Sequence, residues 1–122
     1  MPSLKDKAEA LLGSATVDMK TAATTTIFTT PVGKVTQITK IVVRDPTASL
    51  AGGTSYNFGA PFRNSGVIDL SSLTTANTDS IVLDQNNSKA SEIAAATAFA
   101  ITVTTGSTLA ANATIDVFGY TR

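Results

Sequence analysis

The chain contains no cysteine, no histidine and no tryptophan. Without cysteine there is no disulfide framework, no thiolate nucleophile and no sulfur ligand for zinc or iron, so stability has to come from packing and hydrogen bonds. Without histidine there is no side chain whose ordinary pKa lies near neutrality, no Ser-His-Asp or Cys-His arrangement and no imidazole for a transition metal. Most hydrolase designs are thereby excluded, and no enzymatic activity is expected. Charge is also scarce: charged residues make up 15% of the chain, and nine basic residues balance nine acidic ones, where an average soluble protein carries about 25%. A formal charge of zero supplies no long-range field toward nucleic acid or an anionic membrane, and the basic residues are scattered rather than grouped with aromatics, so neither partner is expected. Near-zero charge also removes the self-repulsion that keeps many small proteins monomeric, which favours self-association. No run approaches the roughly 20 apolar residues of a membrane span, and the lysines near the N-terminus have no apolar stretch behind them, so synthesis and folding in a cytoplasm are expected.

What is present is enough for one compact domain: 122 residues, 43% of them hydrophobic, a length at which a chain buries roughly two-thirds of its unfolded surface. Two unequal parts are read from the pattern, an N-terminal helical arm over 1–13 and a β-domain over 14–122. From Ser3 to Leu12 the spacing predicts a short helix, with Ser3 as N-cap, Asp6 three positions on, and Gly13 as the left-handed residue that ends it. Leu4, Ala8, Leu11 and Leu12 would share one face and Lys5, Asp6 and Glu9 the other. Such an element is too short to be stable alone and needs a surface to lie against, either its own domain or a neighbouring subunit.

After Gly13 threonine becomes the commonest residue, and β-branched and aromatic side chains gather in short runs separated by Gly, Pro, Asn and Ser, the pattern of strands joined by turns. From Ala98 to Thr104, Phe99, Ile101 and Val103 alternate with small or hydroxylated residues. From Ala113 to Tyr120, Ile115 and Val117 face one way, while Thr114, Asp116, Phe118 and Tyr120 face the other. Outward aromatics at Phe118 and Tyr120 suggest an interface or a covering loop. The long run from Lys34 to Asp45 breaks its alternation near Ile41 to Val43, as a doubly buried strand or a bulge would. Weaker strands are read at Ala15 to Thr21, Thr24 to Thr30, Thr54 to Phe58, Val67 to Leu70, Ser80 to Leu83 and Ser91 to Ala94. The fold class expected is all-β, a β-sandwich of jelly-roll type preceded by the short helix.

Few constellations invite chemistry. Asp84 to Ser88 offers clustered oxygen ligands of the kind calcium takes, but an EF-hand loop would need Gly where Lys89 stands and Glu where Ala95 stands, so a hydrogen-bonded turn is the better reading. Paired carboxylates can hydrolyse glycosides, yet nothing selects a pair from Asp69, Asp79 and Asp116, which read as sheet or turn residues. Ala51 to Thr54 is glycine-rich, but it leads into a strand and lacks a following Gly-Lys-Thr or Gly-Lys-Ser, so it reads as a flexible loop and not as a phosphate cradle.

Tyr56 to Asn64 concentrates aromatics around one arginine, as binding hot spots and sugar sites do. Tyr56 and Phe58 are assigned to the core; Phe62 and Arg63 are candidate contact residues. The segments VTQITKIVVRDPTASLAGGTSYNFG, LSSLTTANTDSIVLDQN and AFAITVTTGSTLAANATIDVFGY resemble the small Thr- and Ala-rich structural proteins of tailed bacteriophage and prophage genomes, among them head decoration proteins. The resemblance covers most of the chain after Ala15. It implies a β-sandwich displayed in many copies on a capsid or tail of the virion, often as a trimer, with the major capsid or tail protein as partner and no cofactor. It carries no site residues across. The candidate protein contacts are therefore Leu4, Leu11, Leu12, Phe62, Arg63, Phe118 and Tyr120. The competing reading is a carbohydrate- or cell-surface-binding module of a phage tail or fibre, with its platform near Phe62 and Arg63.

Overall fold

Every second side chain of the two C-terminal strands is buried: Phe99, Ile101 and Val103 in one, Ala113, Ile115 and Val117 in the other. This period of two forces each strand to present one face to a core. The computed structural model describes residues 9–59, 67–84 and 92–122. They form eight strands: β1 (Ala10–Asp18), β2 (Thr24–Thr29), β3 (Thr36–Arg44), β4 (Ser55–Phe58), β5 (Ser80–Asp84), β6 (Glu92–Ile93), β7 (Ala98–Thr105) and β8 (Asn112–Thr121). A larger antiparallel sheet runs β1-β8-β3-β5, with β6 also paired to β3; a smaller one runs β2-β7-β4. The inner faces of the two sheets make one apolar core, in which Tyr56, Phe58, Phe99, Ile41, Leu83 and Ile115 are among the largest fully buried side chains. The architecture is a β-sandwich.

The predicted N-terminal helix requires correction. Ala10, Leu11 and Leu12 belong to β1, which runs straight through position 13. Residues 1–8, including Leu4, lie outside the described residues. Gly13 is not a helix terminator but part of a bulge in β1, where the register against β8 shifts between Leu11 and Gly13. A Cβ there would fall 2.6 Å from that of Phe28, so the missing side chain is what lets the two sheets approach at this corner.

In β3 the break in alternation comes slightly earlier than expected, at Thr39, where the register against β8 shifts between Ile38 and Lys40. The bulge keeps Ile38, Ile41 and Val43 all inward and buried although their spacing is uneven. The segment expected as a strand over Val67 to Leu70 reduces to one bridge, Ile68 to Tyr56, closed by backbone bonds of 3.1 and 2.8 Å. Ala51 to Thr54, expected to be flexible, is tied on both sides: Gly53 N–H donates to Leu50 O, and Thr108 N–H donates to Ala51 O, both at 2.9 Å. Leu50, Leu70 and Leu73 fill that end of the sandwich.

Candidate interaction surface

The two outer faces of the sandwich differ in chemistry. On the smaller sheet the outward positions are Thr24, Thr26, Ala98, Ala100, Thr102 and Asn57, inferred from their register with Phe99 and Ile101. The hydroxyls of Thr24 and Thr102 lie 3.1 Å apart across the strands. All of these side chains are short, so among the described residues the strands of this face offer hydroxyls, methyls and one carboxamide but no large anchor.

The larger sheet presents big side chains outward. Register places Leu11 opposite Phe118, Phe118 opposite Lys40, and Lys40 opposite Asp84, giving one row across four strands. The next outward row runs Ser14, Asp116, Val42, Val82. Leu11 is 56% exposed and Val82 51%, while Phe118, Tyr120 and Val42 are half-buried. An isolated exposed leucine would be unremarkable, but five large apolar side chains on adjacent rows of one sheet face make a patch of the kind used for contact.

Charged groups frame the patch and are fixed in place. Lys40 Nζ sits 4.8 Å from the Phe118 ring centroid and 3.0 Å from a Glu9 carboxylate oxygen, so one ammonium is shared between a ring face and an anion. The Thr39 hydroxyl donates to the same carboxylate. That hydrogen bond, together with Lys40, holds the Glu9 carboxyl below its ordinary pKa despite slight burial. On the second row, Asp116 accepts from Ser14 Oγ at 2.6 Å and from Arg44 Nε at 2.8 Å, and Arg44 also reaches Asp45 at 2.7 Å. Partial burial opposes ionisation of Asp116, but the Arg44 and Ser14 hydrogen bonds and the Arg44 charge outweigh it, and its carboxyl is held below the usual value.

Of the seven sequence-predicted contact residues, the structure brings Leu11, Phe118 and Tyr120 onto this one face. Leu12, at the bulge, turns the other way and packs partly buried against the core. Leu4, Phe62 and Arg63 lie outside the described residues. Val42, Val82, Lys40 and Glu9 were missed. Val42 and Val82 sit inside the apolar triplets Ile41-Val42-Val43 and Ile81-Val82-Leu83, where a continuous run hides the outward member; the only signal was that the middle residue of such a triplet must point away from its neighbours.

The carboxylates weighed for chemistry are engaged locally. Asp69 accepts from the Ser71 N–H at 2.8 Å and from its hydroxyl at 2.5 Å; Asp79 accepts from the Thr75 N–H at 2.8 Å. Both build turns, as Asp does through side-chain-to-backbone bonds. A cleft of about 170 Å³ lies between Asp18, Thr47, Ala110, Ala111 and Asn112, and its one carboxylate, Asp18, already accepts from the Lys20 and Thr21 N–H groups. Among the described residues no group of three or more Asp or Glu side chains is placed to hold a metal ion. The calcium candidate at Asp84 to Ser88 falls mostly outside the described residues.

No protein-family model matches the chain, and no curated protein matches it. Among solved structures, the fold is similar to that of a chain of the cyanophage Pam1 capsid asymmetric unit, with a TM-score of 0.58 at 14% sequence identity over 98% of this chain and 89% of that one. At that identity the likeness is one of fold, and it extends over nearly the whole of both chains.

Proposed function

We propose that the protein is a non-catalytic structural protein of a phage virion, a capsid decoration protein that binds the capsid surface through protein-protein contacts. The observation that carries this reading is the fold similarity to a chain of a phage capsid assembly, which runs over 98% of this chain and 89% of that one. The strand orders β1-β8-β3-β5 and β2-β7-β4, with β6 beside β3 and Ile68 bridging to β4, are read as a jelly roll, the eight-strand double Greek key used in viral capsid domains.

The physical features suit that role. Decoration requires a stiff scaffold, one contact face and no chemistry. Threonine-rich strands supply stiff side chains, and the outer face of the larger sheet supplies the contact face, centred on Leu11, Phe118 and Tyr120. On this reading the protein is made in the host cytoplasm, self-associates, and ends in the virion against the major capsid or tail protein. The test is mass spectrometry of gradient-purified particles, counting this chain against the most abundant coat protein. Hundreds of copies per particle are expected; its absence from particles would overturn the proposal.

A further inference from the structure

Among the described residues, most charged side chains already have a partner. Ion pairs take up the charges around Lys40, Arg44 and Arg122. Asp18, Asp69 and Asp79 accept hydrogen bonds within their own turns, and Lys20 acts through space on Asp18. Lys34 and Asp84 are left over: among the described residues neither makes a hydrogen bond or an ion pair. Both are exposed, and each stands two positions after an exposed valine, Val32 at 85% and Val82 at 51%.

The two pairs are built differently. Val32-Gly33-Lys34 is the tip of the turn between β2 and β3. Gly33 closes it at a φ of 74°, in the left-handed region that favours glycine, and a Cβ there would meet no atom within 4 Å, so the tip stands clear of the sandwich. Both legs of the turn are fixed: Thr30 N–H donates to Thr97 O, and Val35 exchanges both backbone bonds with Arg122, all at 2.9 Å. Val82 and Asp84 lie on β5, where the strand period of two turns both outward, with Val42 beside Val82. A projecting knob of one apolar group and one cation thus matches a strip of one apolar group and one anion at the same two-residue spacing.

The two cannot meet within one molecule. From Val35 the chain runs along β3 to Lys40, which lies opposite Asp84, so Lys34 and Asp84 are roughly 15 to 20 Å apart at about 3.3 Å per residue. We propose that the 32–34 turn of one copy seats on β5 of a second copy, with Val32 against Val82 and Val42 and Lys34 at Asp84. Because turn and strip are different patches, the contact is heterologous, and each copy gives a turn to one neighbour and a strip to another. This rests on the reading of the larger sheet's outer face as the contact face; it assigns the β5 side of that face to a neighbouring copy and leaves Leu11, Phe118 and Tyr120 to the coat protein.

The chain has no cysteine, so single thiols can be placed without background, and none of the residues substituted belongs to the buried core. Purified Val32→Cys is mixed with Val82→Cys, or with Thr26→Cys on the outer face of the smaller sheet, and treated with a short bifunctional maleimide. The expected result is a covalent heterodimer of V32C with V82C, identified by mass, about tenfold above that with T26C. Adding Lys34→Glu to V32C is expected to lower the yield about fivefold, as turning one exposed pair from attraction to repulsion does, and adding Asp84→Lys to V82C to restore it. No excess over T26C, or a yield indifferent to the sign of the pair, would overturn the proposal. In purified particles, V82C bridged to the coat protein with no V32C–V82C product would overturn it too while upholding the virion role; a sign-dependent V32C–V82C product from a protein absent from particles would uphold the contact and remove the virion role.

Discussion

Thr36 Oγ1 is buried and has no hydrogen-bond partner among the described residues, at the inner start of β3 where its residue pairs with Ile93 and Thr121. A buried hydroxyl without a partner costs about 1 to 3 kcal/mol in lost hydration. Thr36→Val keeps the shape and removes the hydroxyl, so it is expected to raise stability by about 1 kcal/mol and the melting temperature by about 3 to 5 °C, measured by thermal and urea unfolding; an unchanged or lower value would show that the hydroxyl is satisfied. Tyr56 is the opposite case. Its ring is fully buried, and its hydroxyl donates to the Met19 carbonyl at 2.9 Å, an oxygen that also accepts from the Ser107 N–H. Burial pushes the phenol above its ordinary pKa. Tyr56→Phe leaves the carbonyl with one donor and is expected to cost about 1 kcal/mol, read as a lower urea midpoint with an unchanged slope.

At the scale of the element, β8 shows how a strand can depend on one missing side chain. Gly119 lies opposite Ile38 beside the Thr39 bulge, where a Cβ would collide with the Gln37 carbonyl and fall 2.9 Å from Leu12 Cδ1. Gly119→Ala must push β8 away from β3 in the centre of the sheet, and the expected loss is about 2 to 3 kcal/mol; a loss below about 0.5 kcal/mol, read from the same urea titration, would mean the backbone yields freely. The sequence reveals β8 and β7 because their alternation is unbroken, and it placed Tyr56 and Phe58 inside because the chain offers few other large rings. β1 is illegible for a physical reason: Leu4, Ala8, Leu11 and Leu12 at helical spacing before a glycine imitate a capped helix, while what draws Ala10 to Leu12 into a strand is pairing with β8 about a hundred residues away. Local propensity is weak beside such pairing. For the same reason half of the large outward side chains on this sheet face are legible in the sequence. Phe118 and Tyr120 advertise themselves by alternation, whereas Val42 and Val82 become neighbours only through the register of β3 with β5.

At the scale of the whole molecule, the carboxyls that depart from their ordinary values among the described residues all depart downward. Glu9, held by Thr39 and Lys40, Asp18, held by the Lys20 and Thr21 N–H groups, and Asp69, held by Ser71, all have carboxyls below their ordinary values. Asp116 joins them because Arg44 and Ser14 outweigh its partial burial. A carboxyl depressed in the folded state adds stability that is fully present above its unfolded pKa, about 3.9 for Asp and 4.3 for Glu, and disappears as pH falls through the lower folded value. With no histidine in the chain, no side chain ordinarily titrates between pH 5 and 8. Unfolding free energy measured by urea titration is therefore expected to be flat from about pH 8 to 5 and to fall below about pH 4. Asp116→Asn is expected to be less stable than the parent at pH 7, since it leaves Arg44 facing a neutral partner on the outer face. The gap should narrow as the pH falls below the usual carboxylate range toward the lowered value at which the parent carboxyl takes up its proton. A variant whose deficit persists unchanged to that pH would assign the loss to packing around Ser14 and Val42 rather than to charge. A parent whose stability falls between pH 8 and 5 would contradict the carboxylate account as a whole.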